Sequence, residues 1–161
     1  MSFKATLEIG DKSYDLQECR WNLHQEFNKA GEPKSGVYAG IIKFIMYGTE
    51  HNEFSLWVGN PRKKESGKII LNRIDQESKL KEIKFEYSYL IHYVESFLSP
   101  NEMLLEWDDF KMKNDDIKSD YKIIIKHQLR TGTSYVIYCV ISAEKITIDG
   151  TMHDNRWESI A

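Results

Sequence analysis

Hydrophobic and polar residues alternate along much of this chain, and the alternation is longest between Ile83 and Phe97. Ile83, Phe85, Tyr87, Tyr89, Ile91, Tyr93 and Phe97 share one parity, broken only by Glu95. Lys84, Glu86, Ser88 and His92 stand on the other, with Leu90 and Val94 among them. A period of two over that length predicts a long β-strand, with scope for a bend and a bulky aromatic face. So much ring surface must be buried against a second layer or against another copy of the protein. Phe3, Ala5, Leu7 and Ile9 alternate with polar neighbours and predict a first strand, with Gly10-Asp11 as its turn. The next run carries Tyr14 and Leu16 on the even parity but Cys19, Trp21 and Leu23 on the odd. A strand that changes parity needs a bulge or a bend, here between Leu16 and Cys19, as barrels and cornered sheets have.

Gln25 to Gly36 holds two glycines, a proline and several polar residues, and predicts a long loop of the kind that often carries function. Val37 to Tyr47 is apolar on both parities. The spacing leaves no room for repeated βαβ crossovers, so such a strand points to a barrel whose outer wall is covered by a helix or by a neighbouring subunit. Thr49 is placed to cap a short helix over 50–59 that Pro61 closes off, with Phe54, Trp57 and Val58 on one face. This is the one helix the pattern predicts firmly. Further strands are expected over Lys68 to Ile74 and, after a break at Ser99-Pro100-Asn101, over Met103 to Lys113 and Tyr121 to Gln128. The last two would form a hairpin around Asn114-Asp115-Asp116. Gly132 marks a turn, and Tyr135 to Ile148, again apolar on both parities, is the final strand. With no repeats or linkers, residues 1–161 read as a single domain.

Composition narrows the function classes. The 161 residues suffice for a core without staples, and 41% hydrophobic with 29% charged residues is a globular balance. A formal charge of -3 gives no general pull toward nucleic acid or anionic membrane. The aromatic strand is interleaved with Glu86 and Glu95 as much as with Lys84, the wrong charge for a base-stacking platform. Cys19 and Cys139 read as buried free thiols in a reducing compartment. Residues 1–10 lack the apolar core of a secretion signal, and no apolar run is long enough to span a bilayer. The expected site of synthesis and folding is the cytoplasm, with any export left to a dedicated machine.

Reactive constellations are missing from the sequence. The histidines at 24, 51, 92, 127 and 153 are scattered without metal-ligand spacing, and Asp108-Asp109 and Asp115-Asp116 read as solvated turns. No nucleophile elbow, phosphate loop or Cys-x-x-Cys occurs. Arg62-Lys63-Lys64 reads as a solvated basic turn. No catalytic, cofactor or metal residues are assigned; two-sided β surface without reactive groups points to a binding or assembly part.

Several pieces, taken in order, resemble the Bacteroidetes branch of the haemolysin-coregulated proteins (Hcp, also TssD), the inner-tube subunits of type VI secretion systems. They are the opening Met-Ser-Phe-Lys-Ala-x-Leu-Glu-Ile, then Glu18-Cys19-Arg20-Trp21 and Gln25 through Pro33. Ser35-Gly36, Trp57 through Pro61, Lys64 through Ile69, Lys79 through Tyr89, Ile141 through Ile146 and His153 through Trp157 continue the match. Two features depart from the family: Glu32 stands where it usually has arginine, and some 35 residues, 98–134, intervene before the last strand.

The resemblance implies a mainly β protein, a small antiparallel barrel with one short helix near 50–59 and an added hairpin near 103–128. It implies hexameric rings that stack into a hollow tube, expelled by sheath contraction with a VgrG-like tip and effector cargo, and no chemistry. Trp21, Gln25, Glu26, Phe27, Gly31, Glu32 and Pro33 are the expected ring-contact residues. The aromatic and two-sided apolar strands would supply the rest of the contact. Trp21 could equally sit in the barrel core. The alternative from another class is a monomeric ligand-binding β-barrel with the aromatic face lining a pocket; a hydrolase has no motif behind it.

Overall fold

A computed structural model describes residues 2–27, 29–31, 33–74, 79–149 and 151–154, the side chains of 23–27, 33–39 and 151–154 lying outside that description. Among the described residues seven strands form one antiparallel sheet in the order β3-β2-β1-β4-β5-β6-β7, and β3 also pairs with β6. That extra pairing closes six strands into a barrel. The strands are β1 (Phe3–Ile9), β2 (Lys12–Phe27), β3 (Pro33–Tyr47), β4 (Glu65–Arg73), β5 (Lys79–Phe97), β6 (Tyr135–Ile148) and β7 (Thr151–Asp154). The mainly β barrel expected from the sequence is therefore present, and β1 and β6 have the predicted limits. The expected parity change of β2 is a register shift against β3 between Leu16 and Glu18.

The barrel interior is filled by side chains. Leu7, Ile42, Phe44, Ile69, Ile83, Phe85, Ile137, Cys139 and Ile141 form one buried cluster. The helix α1 (Glu53–Val58) adds Phe54 and Trp57 to it, with the Phe54 ring edge-on to Tyr14 and Phe44. Val58, expected on the same apolar face, stays partly exposed. The helix also starts later than expected: Asn52 occupies its N-cap without a side-chain bond, and Thr49 instead accepts from the His51 N–H. Tyr14 and Lys12 tie α1 down through Glu53, at 2.5 Å and 2.6 Å.

The long strand β5 departs from the single aromatic face. Its ladder with β4 jumps between Phe85 and Ser88, where Tyr87 takes a positive φ of 53°, and its ladder with β6 jumps between Leu90 and His92. Each jump exchanges inner and outer parity. Ile83 and Phe85 point inward before the first, Ser88 and Leu90 after it, while Tyr87, Ile91 and Phe97 are left exposed.

The segment after β5 is the largest correction. In place of a hairpin near 103–128 it folds into a short 3₁₀ turn (Glu102–Leu104), α2 (Trp107–Lys113) and α3 (Ser119–Thr131). Asp108 and Asp109 lie in the first turn of α2, not in a loop, where the helix dipole favours carboxylates. Ile123-Ile124-Ile125 favours a strand by local preference, but Ile124 and Gln128, and Ile125 and Leu129, recur at helical spacing. Gly132, in the left-handed region at φ 72°, stops α3 by donating to the Gln128 carbonyl. Leu98, Phe110 and Ile125 form a small core of their own, with Met103, Leu105, Trp107 and Leu129 against it.

Candidate functional site

The outer surface of the barrel has three parts: a covered wall, a charged wall and a projecting ribbon. The covered wall belongs to β3 and β6. Its outward side chains Ile45, Val136, Tyr138 and Val140 pack with Ile124 of α3. These are the residues that made both strands apolar on two parities. Of the two coverings expected from the sequence, helix or neighbour, α3 supplies the first; the neighbour is not needed there.

The charged wall belongs to β1, β4 and β5. Lys68 lies 3.5 Å from both Glu8 and Glu82, and Lys79 lies 2.8 Å from Glu82. The Lys79 hydrogen bond comes first among the causes that hold the Glu82 carboxyl below its usual range. Lys4 pairs with Asp15, and Lys84 with Glu86. All these groups are substantially exposed, so each pair is weakly stabilising, and the wall's main property is its hydration.

The ribbon contains most of the expected contact residues. β1 pairs with β2 only as far as Leu16, whereas β2 runs on to Phe27 and stays paired with β3 through Gln25–Val37 and Phe27–Pro33. The expected long loop over 25–36 is therefore largely strand; the chain forms a two-stranded extension, with residues 29–31 in a turn between its strands. Alternation was hidden there by Gly36, Pro33 and the polar residues. Gln25, Phe27 and Pro33 lie on this ribbon and Gly31 in its turn at φ 82°. The side chains of Gln25, Glu26, Phe27 and Pro33, and all of Glu32, lie outside the described residues. Trp21 stands at the ribbon's base, half-buried. It packs against the barrel core and lines an open recess of about 450 Å³ with Phe3, Leu16, Cys19 and Leu80. The core contact expected as one reading of Trp21 is therefore present, while one side of its ring stays open to the recess.

Other candidate chemistry is dispersed. Lys63 pairs with Glu65 and Lys64 lies over the Tyr89 ring, as a solvated basic turn would. Both cysteines are free; burial pushes the Cys19 thiol up to about 12 and Cys139 higher still, so neither is a ready nucleophile. Among the described residues no three His, Cys, Asp or Glu side chains are grouped to hold a metal ion. Among them too, no helix is long and apolar enough to cross a membrane.

Sequence reasoning missed the polar anchors of α3. Gln128, fully buried, donates to the carbonyls of Ser96 at 3.1 Å and Ser134 at 2.8 Å, and accepts from the Ser96 hydroxyl at 2.6 Å. His127 sits between Gln17 and Glu18 of β2. The helical spacing ahead of Gly132 was the available signal.

The described residues thus form a closed six-stranded antiparallel barrel with α1 packed on its core and a two-stranded extension. The family model described as "Hemolysin coregulated protein Hcp (TssD)" matches residues 1–118, so this chain belongs to the Hcp (TssD) family. Hcp1 from Flavobacterium johnsoniae is 22% identical, with a TM-score of 0.68 over 94% of this chain and 99% of that one. Hcp1 from Salmonella typhimurium is 12% identical, with a TM-score of 0.59 over 92% of this chain and 86% of that one. A chain of the sheath–tube complex of an extracellular contractile injection system (PVC) is 8% identical, with a TM-score of 0.52 over 91% and 88%. No curated protein matches this chain.

Proposed function

We propose that this chain is a structural subunit of a type VI secretion tube. Six copies close into a ring, rings stack into a hollow tube, and sheath contraction expels the tube with a VgrG-like tip and effector cargo. Membership of the Hcp family over residues 1–118 is the observation that carries this reading. The protein is made in the cytoplasm and leaves through the machine. Its role is adhesive, not catalytic: heterologous contacts that close after six copies, and ring-to-ring contacts that propagate.

The ribbon supports that role physically. A two-stranded extension is at best marginally stable in water by itself, so one that leaves the barrel wall gains from a neighbour's surface. Trp21, Gln25, Glu26, Phe27, Gly31, Glu32 and Pro33 are assigned to that contact, with Glu26 and Glu32 setting its charge complementarity. The competing ligand-binding barrel needs a chamber, and Phe44, Phe54 and Phe85 occupy the interior where it would lie.

Negative-stain microscopy of the pure protein tests the proposal: six-fold rings with an open centre are expected. Small single particles at high concentration would overturn it. Deleting residues 27–33 should leave a folded barrel that no longer forms tubes, and unchanged stacking would remove the ribbon from the contact.

A further inference from the structure

We propose that the aromatic and carboxylate cluster at the Tyr47 end of β3 is the seat on which a second copy's ribbon lands, with Glu95 taking the ammonium of that copy's Lys29. The inference rests on the tube reading and goes beyond it by naming the surface that receives the ribbon.

The two halves of this contact lie at opposite ends of one strand. The ribbon occupies the Pro33 end of β3. At the other end Tyr47 pairs with Val136, next to the rung that joins Phe97 to Tyr135. Gly48 shapes the cluster there. A Cβ at this position would come within 1.9 Å of the Tyr135 ring, so a glycine is what lets that ring lie across the end of β3. The Gly48 N–H donates to the Tyr135 carbonyl at 2.9 Å and holds the approach. So placed, the Tyr135 hydroxyl donates to Glu95 Oε1 at 3.1 Å, and the Tyr93 hydroxyl donates to the same oxygen. Two phenols therefore fix the orientation of an exposed carboxylate that can accept about four hydrogen bonds. Beside it Phe97 is 67% exposed and Tyr47 54% exposed.

A fixed carboxylate among open aromatic rings suits a cation on a hydrocarbon stem, with the ammonium on the carboxylate and the stem along a ring. Lys29 is such a side chain, exposed in the ribbon's turn. An exposed ion pair contributes little by itself, so the rings supply most of the contact area and the charges set its register. The second copy is the occupant because a contact that propagates needs two different surfaces facing opposite ways. Each copy carries the ribbon at one end of β3 and the seat at the other, so every landing leaves a further seat open.

Negative-stain microscopy and sedimentation of the full chain test this by charge reversal. Glu95→Lys and Lys29→Glu should each leave rings but abolish stacks, and the double variant should restore them. Phe97→Ala removes an exposed ring, which leaves no cavity in the core, and should shorten stacks several-fold. A second measurement needs no tubes. An Ala30→Cys variant mixed with a Tyr47→Cys variant should, on mild oxidation, give a disulfide-linked pair in several-fold excess over either alone; the unsubstituted chain controls for Cys19 and Cys139. Unchanged stacks in Glu95→Lys, no rescue in the double variant, or no excess of the mixed cross-link would overturn the proposal. Wild-type protein found only as single particles would instead sink the tube reading, and the mixed cross-link would then decide this contact by itself.

Discussion

The β3/β6 wall and the β1/β4/β5 wall belong to one barrel and solve opposite problems. On the first, Ile45, Val136, Tyr138 and Val140 face outward and are dry because Ile124 and its helix cover them. On the second, Glu8, Lys68, Glu82 and Lys84 face outward and are exposed, held in weak ion pairs. The difference teaches that apolar residues on the outside of a barrel are not by themselves evidence for a subunit contact. Here the chain itself covers them, which leaves the charged wall, the ribbon and the barrel ends as the open surfaces. At one of those ends Phe97 is 67% exposed, near Tyr47 and the Tyr93–Glu95–Tyr135 hydroxyl–carboxylate contacts.

The comparison breaks most severely at Ile124. Putting a carboxylate there, Ile124→Asp, should detach α3 and cost upwards of about 4 kcal/mol, as a buried unpaired charge does; Ile124→Ala should cost about 2–4 kcal/mol through the cavity it leaves. Urea denaturation measures both, and a change below 1 kcal/mol for the alanine variant would mean that the wall is not held by this contact. Next comes Gln128→Leu, which leaves the Ser96 hydroxyl and the Ser134 carbonyl without their buried partner and should cost about 1–3 kcal/mol. On the α1 side, Tyr14→Phe removes the hydroxyl that donates to Glu53 and should cost about 1 kcal/mol, read from the shift in thermal midpoint.

The charged wall should respond least. Lys68→Ala is expected to leave the urea midpoint unresolved from wild type, while its effect on assembly, if the wall is a contact, would appear in sedimentation at low and high salt. A large loss of stability would show that the ion pairs matter more than their exposure allows. The thiols sharpen the same contrast between covered and open surface. With Cys19 pushed up to about 12 by burial and Cys139 further, both should react with a disulfide reagent at pH 8 only slowly in the native state and rapidly in denaturant.

Much of the barrel was legible in the chain because strands that are half-buried must alternate. Phe3 to Ile9 and Tyr135 to Ile148 could be read to their ends, and the parity change after Leu16 announced the bulge that later receives His127. Legibility failed where two signals competed. Three consecutive isoleucines outweigh the i, i+4 spacing of Ile124 with Gln128 and of Ile125 with Leu129, so the local pattern predicts a strand where the chain forms a helix. In β5 two bulges redistribute the aromatic parity, and because apolar residues fall on both sides of each, no parity change marks them as one marks the β2 bulge.

What the sequence determined alone was the alternation that makes this a β protein, the two strands with apolar residues on both faces, and the ordered pieces that mark an Hcp relative. Only the tertiary structure decided what covers those faces. Burial is a property of pairs of surfaces: a strand can state that its outer side must be dry, but whether α3 or another copy meets it depends on where the connection between β5 and β6 carries the chain in space.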